Sequence, residues 1–267
     1  VRAVVAVVAL VAWLEASVAH ADAAAAETVR ERFAPPAGFV SDVVAAGSFG
    51  AYLQALPLLP PGTPVLTFAG TPAHAPWAQA VVDVSVGARD LQQCADSAIR
   101  LRAEWLRSST SSSTTAMGPV RPVFHATSGD PIPYGRYVAG ERAFAQKNRL
   151  GWRSGARSGD DDEVWAAWLE TVFLYAGSLS LARDTTPVTG PMAAGDLLVL
   201  GGSPGHVLVV LDVARAADGR EQWLIGQGFM PAQSFHVIGW YAPDGDGALT
   251  VPSWKAPFPK TARRRFR

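Results

Sequence analysis

Cysteine is all but missing from this chain. Its 267 residues hold one, Cys94, which rules out an intrachain disulfide framework and any CxxC zinc site. The HExxH pattern of metalloproteases is absent too. Net charge is also lacking: 23 Lys and Arg balance 23 Asp and Glu, so no field of one sign points to a highly charged partner. No basic patch with interleaved aromatics occurs on an expected folded face, which argues against nucleic-acid recognition. Beyond residues 4–13 no apolar run approaches the length of a membrane span.

What the chain does have is apolar residues, 49% of the total, and length for one large domain or two small ones. Residues 4–13 form a short apolar segment after Arg2, and Ala19-His20-Ala21 offers a small-x-small cleavage site. These features predict a secretory signal peptide over residues 1–21, cut near Ala21, and export to the periplasm or outside; a retained anchor is the alternative. Residues 22–259 are then read as one domain. The end, residues 260–267 (KTARRRFR), is read as a disordered basic tail, with weak contact to an anionic membrane surface as its alternative use.

A lone thiol in an oxidising compartment has two readings. Cys94 is either a small core residue or a reactive group. Residues 90–107, DLQQCADSAIRLRAEWLR, carry Leu91, Ala95, Ala98, Leu101 and Trp105 at helical spacing, with Asp90 as the expected N-cap. Cys94 then falls in the first turn, where the dipole and unpaired N–H groups favour a thiolate.

The rest of the chain frames that helix. Ser48 predicts the cap of a short helix, SFGAYLQALPL, stopped by Pro57, and strands are expected over 64–68 and 80–86. Residues 108–115 read as a flexible Ser/Thr loop and 151–159 as a mobile one. The stretch between them, with His125, Asp130, Tyr134 and Tyr137, fits either a cleft edge or irregular packing. Four acids at 160–163 open a helix whose packing face is Trp165, Trp168, Leu169, Val172 and Tyr175.

Residues 195–212, GDLLVLGGSPGHVLVVLD, organise the second half. Two apolar runs flank GGSPG and read as buried strands around a turn, with His206 first on the second strand; Gly205 before it allows another group close approach. A hairpin centred between Ala216 and Ala217 sets Gln227 opposite His206, and the next strand, 235–241, brings His236 near Gln227.

Cysteine at a helix start, then Gly195-Asp196-Leu197 and Gly205-His206, then Gln227 on the adjacent strand, resembles the papain-like thiol hydrolases of the NlpC/P60 and CHAP kinds. That resemblance covers residues 91–105 and 195–241. It implies an α+β papain-like fold, with the Cys94 helix packed on an antiparallel meander. It also implies Cys94 as nucleophile, His206 as base and Gln227 as the orienting third residue, with His236 as the alternative. The backbone N–H of Cys94 with Gln93 or Gln92 would then supply oxyanion donors. The whole mature chain is similar to an exported bacterial family of unknown function, number forty-eight forty-six, through RFAPPAGF, SFGAYLQALPL, DLQQCADSAIRLRAEWL and PGHVLVVLDVA…GQGFMPAQSFHVI; this implies a bacterial setting and no reaction.

Three functions remain open at this level. The first is an envelope thiol hydrolase or acyl transferase acting on an amide or ester, with cell-wall peptide as one substrate. The second is a binding domain of the envelope in which Cys94 is core. The third is a metal site of His206, His236 and Asp212 or Gln227, a thin ligand set. The thiol chemistry implies no cofactor.

Overall fold

The computed structural model describes residues 26–110 and 121–267. The signal segment expected over residues 1–21, and part of the Ser/Thr loop, lie outside the described residues. In chain order the elements are α1 Val29–Arg32, β1 Val40–Ser41, α2 Phe49–Gln54, β2 Ala80–Val81 and α3 Cys94–Thr110. Then come β3 Val123–His125, β4 Pro131–Pro133, α4 Tyr134–Val138, β5 Arg142–Gln146, β6 Arg149–Arg153, α5 Asp162–Tyr175 and α6 Leu181–Asp184. The last part holds β7 Thr185–Pro187, β8 Leu197–Leu200, β9 His206–Arg215, β10 Glu221–Gln227, β11 His236–Tyr241, β12 Leu249–Val251, β13 Trp254–Phe258 and β14 Arg263–Phe266.

The fold is mixed α+β, built on an antiparallel sheet of order β2-β11-β10-β9-β8-β14-β7, with β1 added to β9. Strand β9 is the spine of this sheet. Its first nine residues are all buried, because both faces are covered, and that is why its sequence is an apolar run instead of an alternation. On one face Val207, Val209 and Leu211 pack with Ala95, Ala98 and Ile99 of α3 and with Leu53 of α2. On the other, Leu208, Val210 and Val213 pack with Trp223 of β10 and with Leu249, Val251 and Phe258 of the β12–β13 hairpin.

Local signals account for several elements. Ser48 accepts a hydrogen bond from the Ala51 N–H and caps α2, and Asp161 accepts one from the Val164 N–H and caps α5. Trp165, Trp168, Leu169 and Val172 are the buried face of α5, as their spacing predicts.

Elsewhere the structure corrects the expectations. Helix α3 starts at Cys94, not after Asp90: the Asp90 carboxylate accepts the Ala232 N–H at 2.7 Å and the Gln93 side chain at 3.0 Å, tying two loops together. The Gln93 N–H is met instead by the Asp96 carboxylate, 3.2 Å away, from inside the first turn. Residues 64–68 form no strand, because a turn with Gly70 at φ +75° folds the segment back on itself; of the second expected strand Ala80–Val81 pairs with β11 and Val82 makes a single bridge to Leu58. Residues 151–153, expected in a loop, belong to β6, where the Phe144 ring lies over the bare face of Gly151. The Tyr134 and Tyr137 side chains are buried packing, and His125 Nδ1 is hydrogen-bonded to the Asp184 carboxylate at 2.6 Å, so the described part of this region is packing.

The basic tail is a strand. Arg263 to Phe266 pair with β8 and β7, the Arg265 guanidinium grips the buried Asp196 carboxylate at 2.7 Å, and Arg264 bonds Thr185 at 3.0 Å. A sheet edge with unpaired backbone groups draws in such a segment, and three adjacent arginines do not prevent it when each finds an acceptor. Gly195-Asp196 thereby gains a structural role: Gly195 sits at φ +96° against the Phe49 ring, and Asp196 accepts the Ala193 N–H as well as Arg265.

Candidate active site at the start of the central strand

His206 is the first residue of β9, and its ring lies on the hairpin side of the sheet, stacked on Trp254 at 4.5 Å and edge-on to Phe229 at 5.1 Å. It is fully buried. Its Nε2 is 2.9 Å from Gln227 Oε1, and its Nδ1 is sealed from solvent with no hydrogen-bond partner. Burial pulls the imidazole down to about 4, against a smaller upward pull from the Gln227 hydrogen bond.

The register that brings Gln227 there differs from the expected one. Arg215 pairs with Glu221 and Leu224 with Asp212, so the turn centres on Asp218; a bulge then shifts the pairing to Ile225–Val210 and Gly226–Val209. Gln227 therefore ends two positions short of His206 and reaches it diagonally. On its other side the pairing of Gln227 with His236 is as expected. Gln227 Nε2 lies 3.2 Å from His236 Nε2, Ser253 donates its hydroxyl to Gln227 Oε1 at 2.9 Å, and His236 Nδ1 lies 2.9 Å from the Ser234 carbonyl. Sequence reasoning missed Ser253 and Trp254, whose hairpin carries no signal of where it folds.

Cys94 approaches from the opposite layer. As the first residue of α3, it points its thiol at the Gly205 carbonyl, 4.0 Å away, near the Val207 N–H, which favours the thiolate against burial. In an extended strand these two groups project to the same lateral side. The sulfur thus sits at the edge of β9, where β10, ending at Gln227, has parted from it. No hydrogen bond joins Cys94 to the His206 ring. The thiol is buried apart from a groove of about 310 Å³ that it lines together with Gln93, Ser178, Pro204 and Met230.

The charge state of Cys94 departs from expectation. The helix start favours a thiolate by about 0.3–1 kcal/mol, up to about 2, but burial outweighs this and pushes the thiol up to about 11. The nearby Asp96 carboxyl is pushed up to about 8, also by burial, and one of its oxygens is buried without a partner. Of the expected oxyanion donors, the Gln93 N–H is already engaged by Asp96. The Gln92 side chain is buried, its oxygen held by Arg100 at 2.9 Å and its nitrogen without a partner. Asp212 is six residues along β9 from His206 and bonds Gln54 at 2.8 Å and Ser41 at 2.7 Å. Among the described residues no three His, Cys, Asp or Glu side chains converge to hold a metal ion.

Gly205 is pinned. A β-carbon there would stand 2.6 Å from the Leu200 carbonyl and 2.9 Å from the Gly202 N, backbone atoms that cannot swing aside. Gly205→Ala is expected to lose about 1–3 kcal/mol by overpacking, read from chemical denaturation midpoints; a loss under about 0.5 kcal/mol contradicts the tight fit.

These features define a class: an α+β protein on an antiparallel sheet, with a buried polar cluster at the head of its central strand and a thiol at that strand's edge. Residues 29–265 match the family model described as a domain of unknown function (4846), and the chain belongs to that family. No curated protein and no solved structure matches the chain.

Proposed function

We propose that this protein is a papain-like cysteine hydrolase or acyl transferase acting on an amide or ester bond. Cys94 is its nucleophile, His206 its base and Gln227 the group that orients the base. One observation carries this reading: the imidazole held through Nε2 by Gln227 presents a bare Nδ1, buried at the head of the strand whose edge bears the chain's one thiol. With the thiol pushed up and the imidazole pulled down, the resting pair is neutral, and the proton moves only as the bond forms. The sulfur attacks the carbonyl carbon as its proton passes to His206 Nδ1. The imidazolium returns that proton to the leaving nitrogen or oxygen, and water or an acceptor nucleophile then releases the acyl group. Catalytic contacts that are long without substrate commonly tighten in its complex. The substrate enters along the groove that Cys94 lines. Export and an envelope substrate, including wall peptide, belong to the same proposal and rest on residues 1–21 and on the resemblance.

The burial of Cys94 favours a second reading, an envelope binding domain in which the thiol is core. The two separate with a chromogenic aryl ester. The hydrolase reading expects acylation confined to Cys94 by intact mass, lost in Cys94→Ala and slowed about 10²- to 10⁴-fold in His206→Ala. Equal rates in the wild type and His206→Ala leave the binding reading.

A further inference from the structure

Gln227 serves His206 only if its oxygen, not its nitrogen, faces the ring. An amide is nearly symmetric in shape, so something must choose. We infer that His236 makes that choice and so, acting through Gln227, sets the tautomer of His206; it is a positioning residue and no alternative third catalytic group. The chain of hydrogen bonds begins at a backbone carbonyl. The Ser234 oxygen can only accept, so His236 Nδ1, 2.9 Å away, carries the proton. In a neutral imidazole the other nitrogen is then an acceptor, and His236 Nε2 faces Gln227 at 3.2 Å. The amide must turn its NH₂ to His236 and its oxygen to the far side. There the oxygen receives the Ser253 hydroxyl at 2.9 Å and faces His206 Nε2 at 2.9 Å. His206 Nε2 must donate, which leaves Nδ1 as the lone-pair nitrogen. With the amide reversed, the Ser253 hydroxyl could turn to accept, but the Gln227 oxygen would face the His236 acceptor, lone pair against lone pair, a buried contact that opposes that orientation.

All four side chains are buried to at least nine-tenths, so no water competes for these positions. Burial also holds both imidazoles neutral, which the relay requires, since a protonated His236 would donate from both nitrogens and turn the amide over.

The part of this inference that concerns catalysis rests on the hydrolase reading; the tautomer does not. The test is long-range ¹⁵N–¹H NMR of the ring nitrogens in the full chain. His206 is expected as the Nε2–H tautomer in the wild type and equally in Cys94→Ala, so the result is independent of whether the thiol is active. His236→Phe removes the acceptor and is expected to give a mixture of His206 tautomers. His236→Gln, whose side-chain oxygen can accept in its place, is expected to restore one. In a Gln227→Glu background both oxygens accept, and there His236→Phe is expected to leave the His206 tautomer unchanged; this pair of variants also separates a relay from a general packing defect. An Nδ1–H tautomer in the wild type, or an unaltered one in His236→Phe, overturns the inference. Loss of esterase activity in Cys94→Ala with the tautomer intact supports both proposals, and an intact relay without thiol-dependent activity leaves this one standing alone.

Discussion

Trp168→Ala is expected to destabilise the protein by about 3–5 kcal/mol, the cost of emptying a large aromatic site in a packed core. Trp168 is fully buried. It touches Trp165 at 4.8 Å between ring centres, Tyr134 at 5.3 Å and Phe124 at 5.9 Å. It therefore joins α5 to α4 and to the β3–β4 hairpin. Its indole also donates to the Ile132 carbonyl at 2.9 Å, a hydrogen bond that alanine removes. Trp168→Phe separates the two contributions. It keeps most of the apolar body and loses the N–H, so about 1–2 kcal/mol of the loss should remain. Thermal melts followed by circular dichroism should show a fall of about 10 °C for alanine and a distinctly smaller one for phenylalanine. A fall of a degree or two for alanine means that the α5 contact with this layer is not part of the core.

Acid is expected to unfold this protein through its buried histidines. His206 and His236 are each pulled from 6.5 to about 4 by burial, so the unfolded chain takes up protons on them as pH falls below about 6.5, whereas the native state does so only near 4. Stability present above 6.5 is therefore lost as pH falls through this window, by roughly 3 kcal/mol per imidazole at about 1.4 kcal/mol per unit. Asp96 acts with the opposite sign. Its carboxyl is raised to about 8 from 3.8, so its contribution is complete below about 4 and is lost as pH rises through 8. Between pH 4 and 6.5 one carboxyl thus opposes two imidazoles, and the net slope still favours unfolding in acid. Asp96→Asn removes the opposing group and keeps an oxygen for the Gln93 N–H. Its stability relative to wild type is expected to rise steadily from pH 4 to 8, and its own loss in acid should be steeper. Urea midpoints at pH 5, 6, 7 and 8 measure both slopes, and parallel curves for the two proteins mean that Asp96 is ionised in the native state. A combined His206→Gln and His236→Gln variant should lose the acid slope itself.

The same groups show where a sequence stops being informative. Strand Leu197–Leu200, the turn after it and the placing of His206 at the head of the next strand were legible, because glycine, proline and an apolar run act over a few residues. The Asp161 and Ser48 caps were legible for the same reason. The true start of α3 was not: Asp90 has every property of an N-cap, and only the arrival of the Ala232 N–H from a loop 142 residues on takes it elsewhere. The arginine-rich end reads as a solvated tail until β8 offers it an edge and Asp196 a partner.

By itself, then, the sequence determined an α+β protein of the family it belongs to, with a thiol at a helix start and a histidine, a glutamine and a second histidine on successive strands, since each of these follows from local pattern or spacing. The tertiary structure alone decided how those groups meet. A single bulge in β9, at Leu211, set which side chain reaches His206. The β12–β13 hairpin supplied Ser253 and Trp254, and the packing of layers on both faces withdrew Cys94, His206 and Asp96 from water. Proton affinity and hydrogen-bond direction depend on every atom within a few ångströms, and those atoms come from segments far apart in the chain.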